Sequence, residues 1–273
     1  MKNVNIISFI SAKGGTGKTT SVLNTAVALA EMGKATLVID MDPMGCIGFS
    51  LDRKDTEWEG LVDHFIKKVP ASDVIVSTKI DKLHILPRGR LAPGDVVLYE
   101  ELLHSSRILS NTIYQVIDKY DYILLDTPSG LGMITHAVLS TSTFGIAVIQ
   151  SEPLCFRTTA QVLSFLGNVK DTTNRALHLL GILPTMVDRT SQSSVTVHNT
   201  MMHSLPGLFE SFIPRNNVFA EASQFGIPVS FLPGKRTPEI TRYSQLALEI
   251  DSRILELREE WVRDNSFPTK TLI

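Results

Sequence analysis

The run Ser11-Ala12-Lys13-Gly14-Gly15-Thr16-Gly17-Lys18-Thr19-Thr20 decides the fold. In front of it lies an apolar, β-branched segment, Ile6 to Ile10; behind it Val22, Ala26, Leu29 and Ala30 repeat at helical spacing. The pattern reads as a strand, a glycine loop and the start of a helix. Glycines let the chain curl so that backbone N–H groups converge with no Cβ atoms in the way. The helix adds its unpaired first-turn amides and the positive end of its dipole. A turn of this kind is built to hold an anion.

The side chains in register make that anion a polyphosphate. Lys18 is placed to reach β- and γ-phosphates and the Thr19 hydroxyl to ligate Mg²⁺, as in the general P-loop pattern. Gly14, Gly15, Thr16, Gly17 and Thr20 complete the cradle. Ala12 stands where the strict pattern has glycine, the mildest departure. A plain glycine turn would explain neither the two lysines nor the two hydroxyls. Lys13 asks for more, because two ammonium groups in one turn repel unless a polyanion lies between them or a partner subunit receives one. Here the stretch resembles the deviant Walker A motif, KGGxGKTT, of the ParA/MinD ATPases. The resemblance implies ATP and Mg²⁺ as ligands, with Lys13 and Lys18 neutralising charge in catalysis. It also implies that Lys13 crosses to the nucleotide of a second identical subunit, making ATP part of a homodimer interface.

The whole chain sets bounds. At 273 residues and 43% hydrophobic content it can bury a sizeable core. The expectation is one domain over residues 1–264 with a tail over 265–273. A net charge of −2 and a pI near 6.4 mean that any nucleic-acid binding comes from a local patch. Cys46 and Cys155 stand far apart in no CxxC spacing, which argues against a disulfide framework or a zinc site. The seven histidines show no HExxH or Cys/His spacing. Met1-Lys2-Asn3 leads straight into the first strand, and no apolar run approaches the roughly 18 residues of a membrane span. A cytoplasmic protein is expected.

Taken in order, Gly33 ends the first helix, and Ala35 to Ile39 reads as a second buried strand ending in Asp40-Met41-Asp42-Pro43. Such an end lies on the rim where open α/β sheets bind ligands. The two acids read either as a capping and a turn residue before Pro43 or, on a strand adjacent to the P-loop, as carboxylates near the γ-phosphate. The segment resembles the family's DxDPQG switch, which implies a catalytic role for Asp42 toward the attacking water. Met44 replaces the glutamine. Between residues 50 and 112 the sequence suggests a charged loop over Leu51 to Trp58 and a short helix carrying Leu61, Val62, Phe65 and Ile66. A strand at His84-Ile85-Leu86 and a helix from Pro93 to Leu103 follow, in a region readable as a partner site or a solvated face.

Tyr122-Ile123-Leu124-Leu125-Asp126 reads as a Walker B strand that delivers Asp126 to the metal beside the P-loop. Gly130 and Gly132 suit a loop sensing the γ-phosphate. Ser129 is set where the superfamily's iron–sulfur reductases need a cysteine close behind this Asp. Gly145 to Ile149 is a strand, a helix from Pro153 turns Ala160, Val162, Leu163, Leu166 and Val169 inward, and Leu177 to Val187 is a further strand. A helix to His203 follows, with Met201 and Met202 where the family carries basic, DNA-touching residues. Between Met186 and Arg242 five Lys/Arg face four Asp/Glu, a thin footprint for phosphate binding. The DNA-contact candidates are Arg189, Arg215, Lys235, Arg236 and Arg242. Ile213-Pro214-Arg215-Asn216 and Glu221 to Pro228 resemble the family's IPRN and EAxxxGxP segments, implying that Pro214, Arg215 and Asn216 line an adenine pocket; a strand end with a turn explains Arg215 equally well. The last helix carries an inward stripe of Tyr243, Leu246, Ala247, Ile250, Ile254 and Leu257, and the tail breaks at Pro268.

Together the motifs predict an α/β fold, a single doubly wound, mostly parallel sheet with helices on both faces, of the P-loop NTPase type with a deviant Walker A loop. They look like a small ParA-type ATPase without the N-terminal extension of some relatives. The implied cycle is Mg-ATP binding, sandwich dimerisation, nonspecific DNA binding on the nucleoid, and release when a ParB-like or cargo-adaptor protein stimulates a slow hydrolysis. Plasmid or chromosome segregation, or the positioning of another cargo, is the implied role. Two rivals remain: a MinD-like membrane-surface ATPase, which calls for a basic amphipathic C-terminal helix, and an ATP-dependent dimeric scaffold that barely turns over and does not use DNA.

Overall fold

A computed structural model describes residues 4–45, 47, 58–105, 107–225, 227–232 and 238–264. The expected loop at Leu51 to Glu57, Cys46, Gly226, Lys235, Arg236 and the tail from residue 265 lie outside the described residues. The elements run β1 (Asn5–Ile10), α1 (Lys18–Glu31), β2 (Thr36–Asp40), α2 (Leu61–Lys67), β3 (Val76–Ser77), β4 (Leu83–Leu86), α3 (Val96–Ser105) and α4 (Ile108–Val116). There follow β5 (Tyr122–Asp126), α5 (Met133–Thr141), β6 (Phe144–Gln150), α6 (Pro153–Thr172), β7 (His178–Thr185), α7 (Gln192–Ser204), α8 (Asn217–Phe225) and α9 (Pro238–Asp264).

The seven strands form one sheet in the order β3-β4-β2-β5-β1-β6-β7, parallel except for the antiparallel edge strand β3. Inner strands read as continuous apolar runs because both faces are covered. Alternate residues go to opposite sides. Ile7, Phe9, Val38, Leu124 and Ile146 pack under α1 and α9, where Tyr243, Leu246, Ala247, Ile250 and Ile254 form the inward stripe expected from the sequence. Leu37, Ile39, Ile123 and Leu125 face α2 to α5, and Ile10, Ala147 and Ile149 face α6 and α7.

The structure alters several expectations. The strand next to β1 is β5, not β2: Phe9 is in register with Asp126, and Asp40 reaches that rim only as the partner of Asp126 on the far side of β5. The path from β1 through α1 to β2 skips a place that β5 later fills, and β5 then crosses through α5 to β6 on the other side of β1. The glycine loop therefore sits at the topological switch point, where open sheets take ligands. Residues 58–116 are a packed layer and not a solvated face: Leu61, Phe65, Tyr99, Leu103, Leu109 and Ile113 are buried in one cluster. Ile66, expected on the apolar side of α2, is exposed. On α6 the buried positions are Cys155, Thr159, Val162, Leu166 and Val169, a strict alternation of steps of four and three, so Ala160 points outward. Thr159 tolerates burial because its hydroxyl donates back to Cys155 O at 3.5 Å. Among the described residues no helix is long and apolar enough to cross a membrane.

Candidate functional site

The glycine loop leaves β1 and turns into α1 with Gly15 at φ +73° and Gly17 at φ +83°, left-handed conformations that a side chain would strain. Gly17 is the N-cap of α1, no side chain caps that end, and no acid lies in the first turn. The first amides of the helix thus remain available to an anion. Hydroxyls hold the loop in shape. Thr16 Oγ1 donates to Ser11 Oγ at 3.0 Å, Ser11 Oγ donates to Lys13 O at 2.7 Å, and Thr185 Oγ1 at the end of β7 donates to Thr16 O at 2.7 Å.

Lys18 is buried, and its ammonium donates to Ser11 Oγ at 3.2 Å and to Ser129 Oγ at 3.3 Å. Ser129 opens the loop after β5, and Gly130 N of the same loop donates to Ser11 O at 3.0 Å. The post-β5 loop is therefore bound to the phosphate loop through the lysine a phosphate would claim. Asp126 ends β5 fully buried, and among the described residues neither carboxylate oxygen has a hydrogen-bond partner of ordinary geometry. Burial pushes its carboxyl up to about 7, partly opposed by the Thr19 hydroxyl and the Lys18 ammonium. A buried, unsatisfied carboxylate facing a threonine hydroxyl at a helix start is a hard-oxygen donor set, and Mg²⁺ fits it.

Asp40 and Asp42 have separate tasks. Asp40 is buried, and its oxygens accept from Asp42 N at 3.1 Å and Ile47 N at 3.2 Å, so it shapes the turn that follows β2. Burial, and then the charge of Asp126, raise its pKa well above the usual carboxylate range. Asp42 is half-buried on the rim; its Oδ1 accepts from Met44 N at 2.9 Å and its carbonyl from Gly45 N at 2.8 Å. Met44 is 70% exposed. Arg88, two residues past the end of β4, clasps this turn, donating to Pro43 O at 2.6 Å with its guanidinium packed where a Cβ on Gly45 would stand. The sequence gives no sign of Arg88's part, which depends on β4 lying beside β2.

A cavity of about 380 Å³ opens between the start of α1, the end of β7 and the segment after Ile213. Pro214, Arg215 and Asn216 all line it. Asn216, however, is tied within the chain: its Nδ2 donates to Glu239 Oε1 at the start of α9 at 2.6 Å and its Oδ1 accepts from Val218 N at 3.0 Å. Met186 at the cavity wall holds φ +50°, a strained value for a side chain of its length. Ser21 and Tyr243 also line the cavity; their buried hydroxyls lie beside each other, with no hydrogen-bond partner of ordinary geometry among the described residues. Sequence reasoning took Tyr243 as core alone.

Lys13 Nζ lies 3.8 Å from Glu152 Oε2, and the cavity-lining Arg215 bonds Glu152 Oε1 at 3.1 Å. The charge pattern of the sequence does not mark Glu152, which the structure puts at the N-cap position of α6. The described DNA-contact candidates divide. Arg189 and Arg242 converge on the Phe212 ring, 5.3 and 4.7 Å from its centroid, with the His198 ring 5.1 Å away. Arg215 belongs instead to the mouth of the cavity. Of the two methionines of α7, Met201 is buried in the core and Met202 is exposed.

A family model described as an AAA domain matches residues 4–179. The chromosome-partitioning ATPase Soj of Thermus thermophilus is 31% identical over 251 residues, covering 92% of this chain and 96% of that protein. Among solved structures, the cobyrinic acid a,c-diamide synthase of Mycobacterium smegmatis with bound ATP analog and magnesium superposes with a TM-score of 0.75 at 26% identity, covering 98% of this chain and 100% of that one. The septum site-determining protein MinD of Pyrococcus horikoshii, complexed with Mg-ADP, superposes with a TM-score of 0.73 at 27% identity, covering 93% and 97%.

Proposed function

The chain belongs to the ParA/MinD family of P-loop ATPases, and from that membership we propose that it acts as a ParA-like partition ATPase whose ATP-bound form is a dimer that holds nonspecific DNA. It is an ATPase, with ATP and Mg²⁺ as its ligands. The observation that carries the reading is the unsatisfied Asp126 carboxylate set between Lys18 and Thr19 at the switch point of the sheet.

The cradle of Gly14 to Thr20 binds the phosphates through backbone amides, and Lys18 exchanges its hydroxyl partners for phosphate oxygens. Mg²⁺, held by Thr19 and Asp126, supplies charge neutralisation at the phosphates when bound. Asp42, at the turn fixed by Asp40 and Arg88, orients the attacking water. Lys13 neutralises charge from the opposite subunit. Because phosphoryl transfer rests on positioning and charge stabilisation, a site awaiting its second subunit turns over slowly, and a ParB-like or cargo-adaptor protein accelerates it. Pro214 and the strained Met186 grip the base by shape.

The DNA face is the Arg189–Phe212–Arg242 cluster. Two guanidiniums pinned on one ring concentrate positive charge that a net of −2 conceals. In the cell this places the ATP form on the nucleoid and makes segregation of a plasmid or chromosome, or positioning of another cargo, the task. The test is retention of duplex DNA with ATP, with ADP, and by an Arg189→Ala/Arg242→Ala variant. Retention with ATP alone that the variant loses is expected; retention indifferent to nucleotide contradicts it.

The exposed Met44 favours one rival, an ATP-dependent dimeric scaffold with little turnover, since a thioether cannot replace an amide's hydrogen bonds. ATPase rates that neither DNA nor partner changes would select it.

A further inference from the structure

Glu152 stands between three segments that the nucleotide brings into play. Its Oε2 lies 3.8 Å from Lys13 Nζ of the phosphate loop, while its Oε1 accepts from Arg215 Nη2 of the cavity wall at 3.1 Å and from Gln150 Nε2 at 2.7 Å. Gln150 is buried at the end of β6 and therefore aims the carboxylate. Glu152 occupies the N-cap position of α6, yet its side chain makes no cap bond to that helix. The acid serves the two cations instead. One carboxylate thus draws the lysine peculiar to this phosphate loop back onto its own subunit, and ties it to the arginine that borders the cavity.

From this geometry we infer that Glu152 is a positioning residue that keeps Lys13 on its own subunit until a second ATP-bearing copy of the chain competes for the ammonium group. The inference rests on the sandwich-dimer reading above. While Lys13 leans on Glu152 it does not extend toward another chain. Phosphates on the facing copy offer it a denser negative charge, and the exchange releases Lys13 and leaves Glu152 to Arg215 and Gln150. Dimer formation and the setting of the cavity mouth become one event. The side chains of Lys13, Glu152 and Arg215 are 41, 40 and 50% exposed. Ion pairs this open shift an equilibrium by a factor of about 2 to 5 and fade with salt. Glu152 therefore biases the lysine and does not lock it.

The experiment measures, by light scattering, the protein concentration for half-maximal dimerisation in saturating Mg-ATP. It compares the parent with Glu152→Gln, Glu152→Ala, Lys13→Ala and Lys13→Ala/Glu152→Gln, at 50 and 500 mM salt, each variant first checked by a thermal melt. Both Glu152 variants are expected to dimerise at about 2- to 5-fold lower concentration than the parent in 50 mM salt, to lose that advantage in 500 mM salt, and to give none in the Lys13→Ala background. A midpoint unchanged or raised by both changes overturns the inference while the sandwich stands. So does an advantage that persists without Lys13. A parent that stays monomeric with ATP, or a Lys13→Ala variant that dimerises as the parent does, overturns the sandwich reading and this inference with it.

Discussion

Asp40 and Asp126 are register partners at the ends of β2 and β5, two buried acids side by side with opposite bonding. Asp40 gives its oxygens to two backbone amides, whereas those of Asp126 have no hydrogen-bond partner of ordinary geometry. The first acid builds the rim, and on the proposed function the second is kept for the metal.

Asp126→Asn should stabilise the nucleotide-free protein at pH 8 and abolish Mg-dependent hydrolysis. Burial raises the folded pKa to about 7, above the unfolded value near 3.9, so between those values the native state binds more protons than the unfolded chain. Stability then falls as pH rises through that window, and the neutral amide escapes the loss. Thermal melts should show a gain of several degrees at pH 8, at about 2–4 °C per kcal/mol for a chain of this size, and little gain at pH 5. An equal shift at both values would contradict it.

Arg88→Ala removes the bond to Pro43 O that clasps the turn carrying Asp42. Loss of alignment, and not of binding, is the expected defect. Steady-state kinetics should show kcat lowered about tenfold or more with the KM for ATP within about twofold, since misplacement alone costs up to about 100-fold. A variant with parental kcat would remove Arg88 from the site.

Tyr243→Phe deletes the buried hydroxyl of a cavity-lining residue, set beside the Ser21 hydroxyl. Without nucleotide its melting temperature should stay close to the parent's, because the contact with Ser21 falls outside ordinary hydrogen-bond geometry. The rise in melting temperature on adding ATP should shrink if the hydroxyl bonds the base. The pair of melts, with and without ATP, checks both statements.

Much of this was legible. The glycine loop, the Walker B strand and the last helix's stripe depend on local pattern, and they appear where periodicity and turn chemistry put them. Strand order was not legible, since nothing local reveals that β5 enters between β1 and β2. That single placement moved Asp40 and Asp42 one strand away from the phosphate loop, and the pairing of β4 with β2 brought Arg88 to the rim. In residues 58–116 the helix with Phe65 was legible, but Tyr99 and Ile113 were not, because short helices give too few turns for their apolar faces to stand out from the sequence. Glu152 was missed because its partners, Lys13 and Arg215, lie far away in sequence.

The central claim is that two chains join across their nucleotides, each lending Lys13 to the other. The most direct measurement is the mass of the parent and of Lys13→Ala in saturating Mg-ATP, by light scattering, with ATP turnover followed in the same samples. The account expects the parent to double in mass and hydrolyse ATP slowly, and the variant to remain monomeric and inactive. A variant that doubles in mass and turns over ATP as the parent does would contradict it.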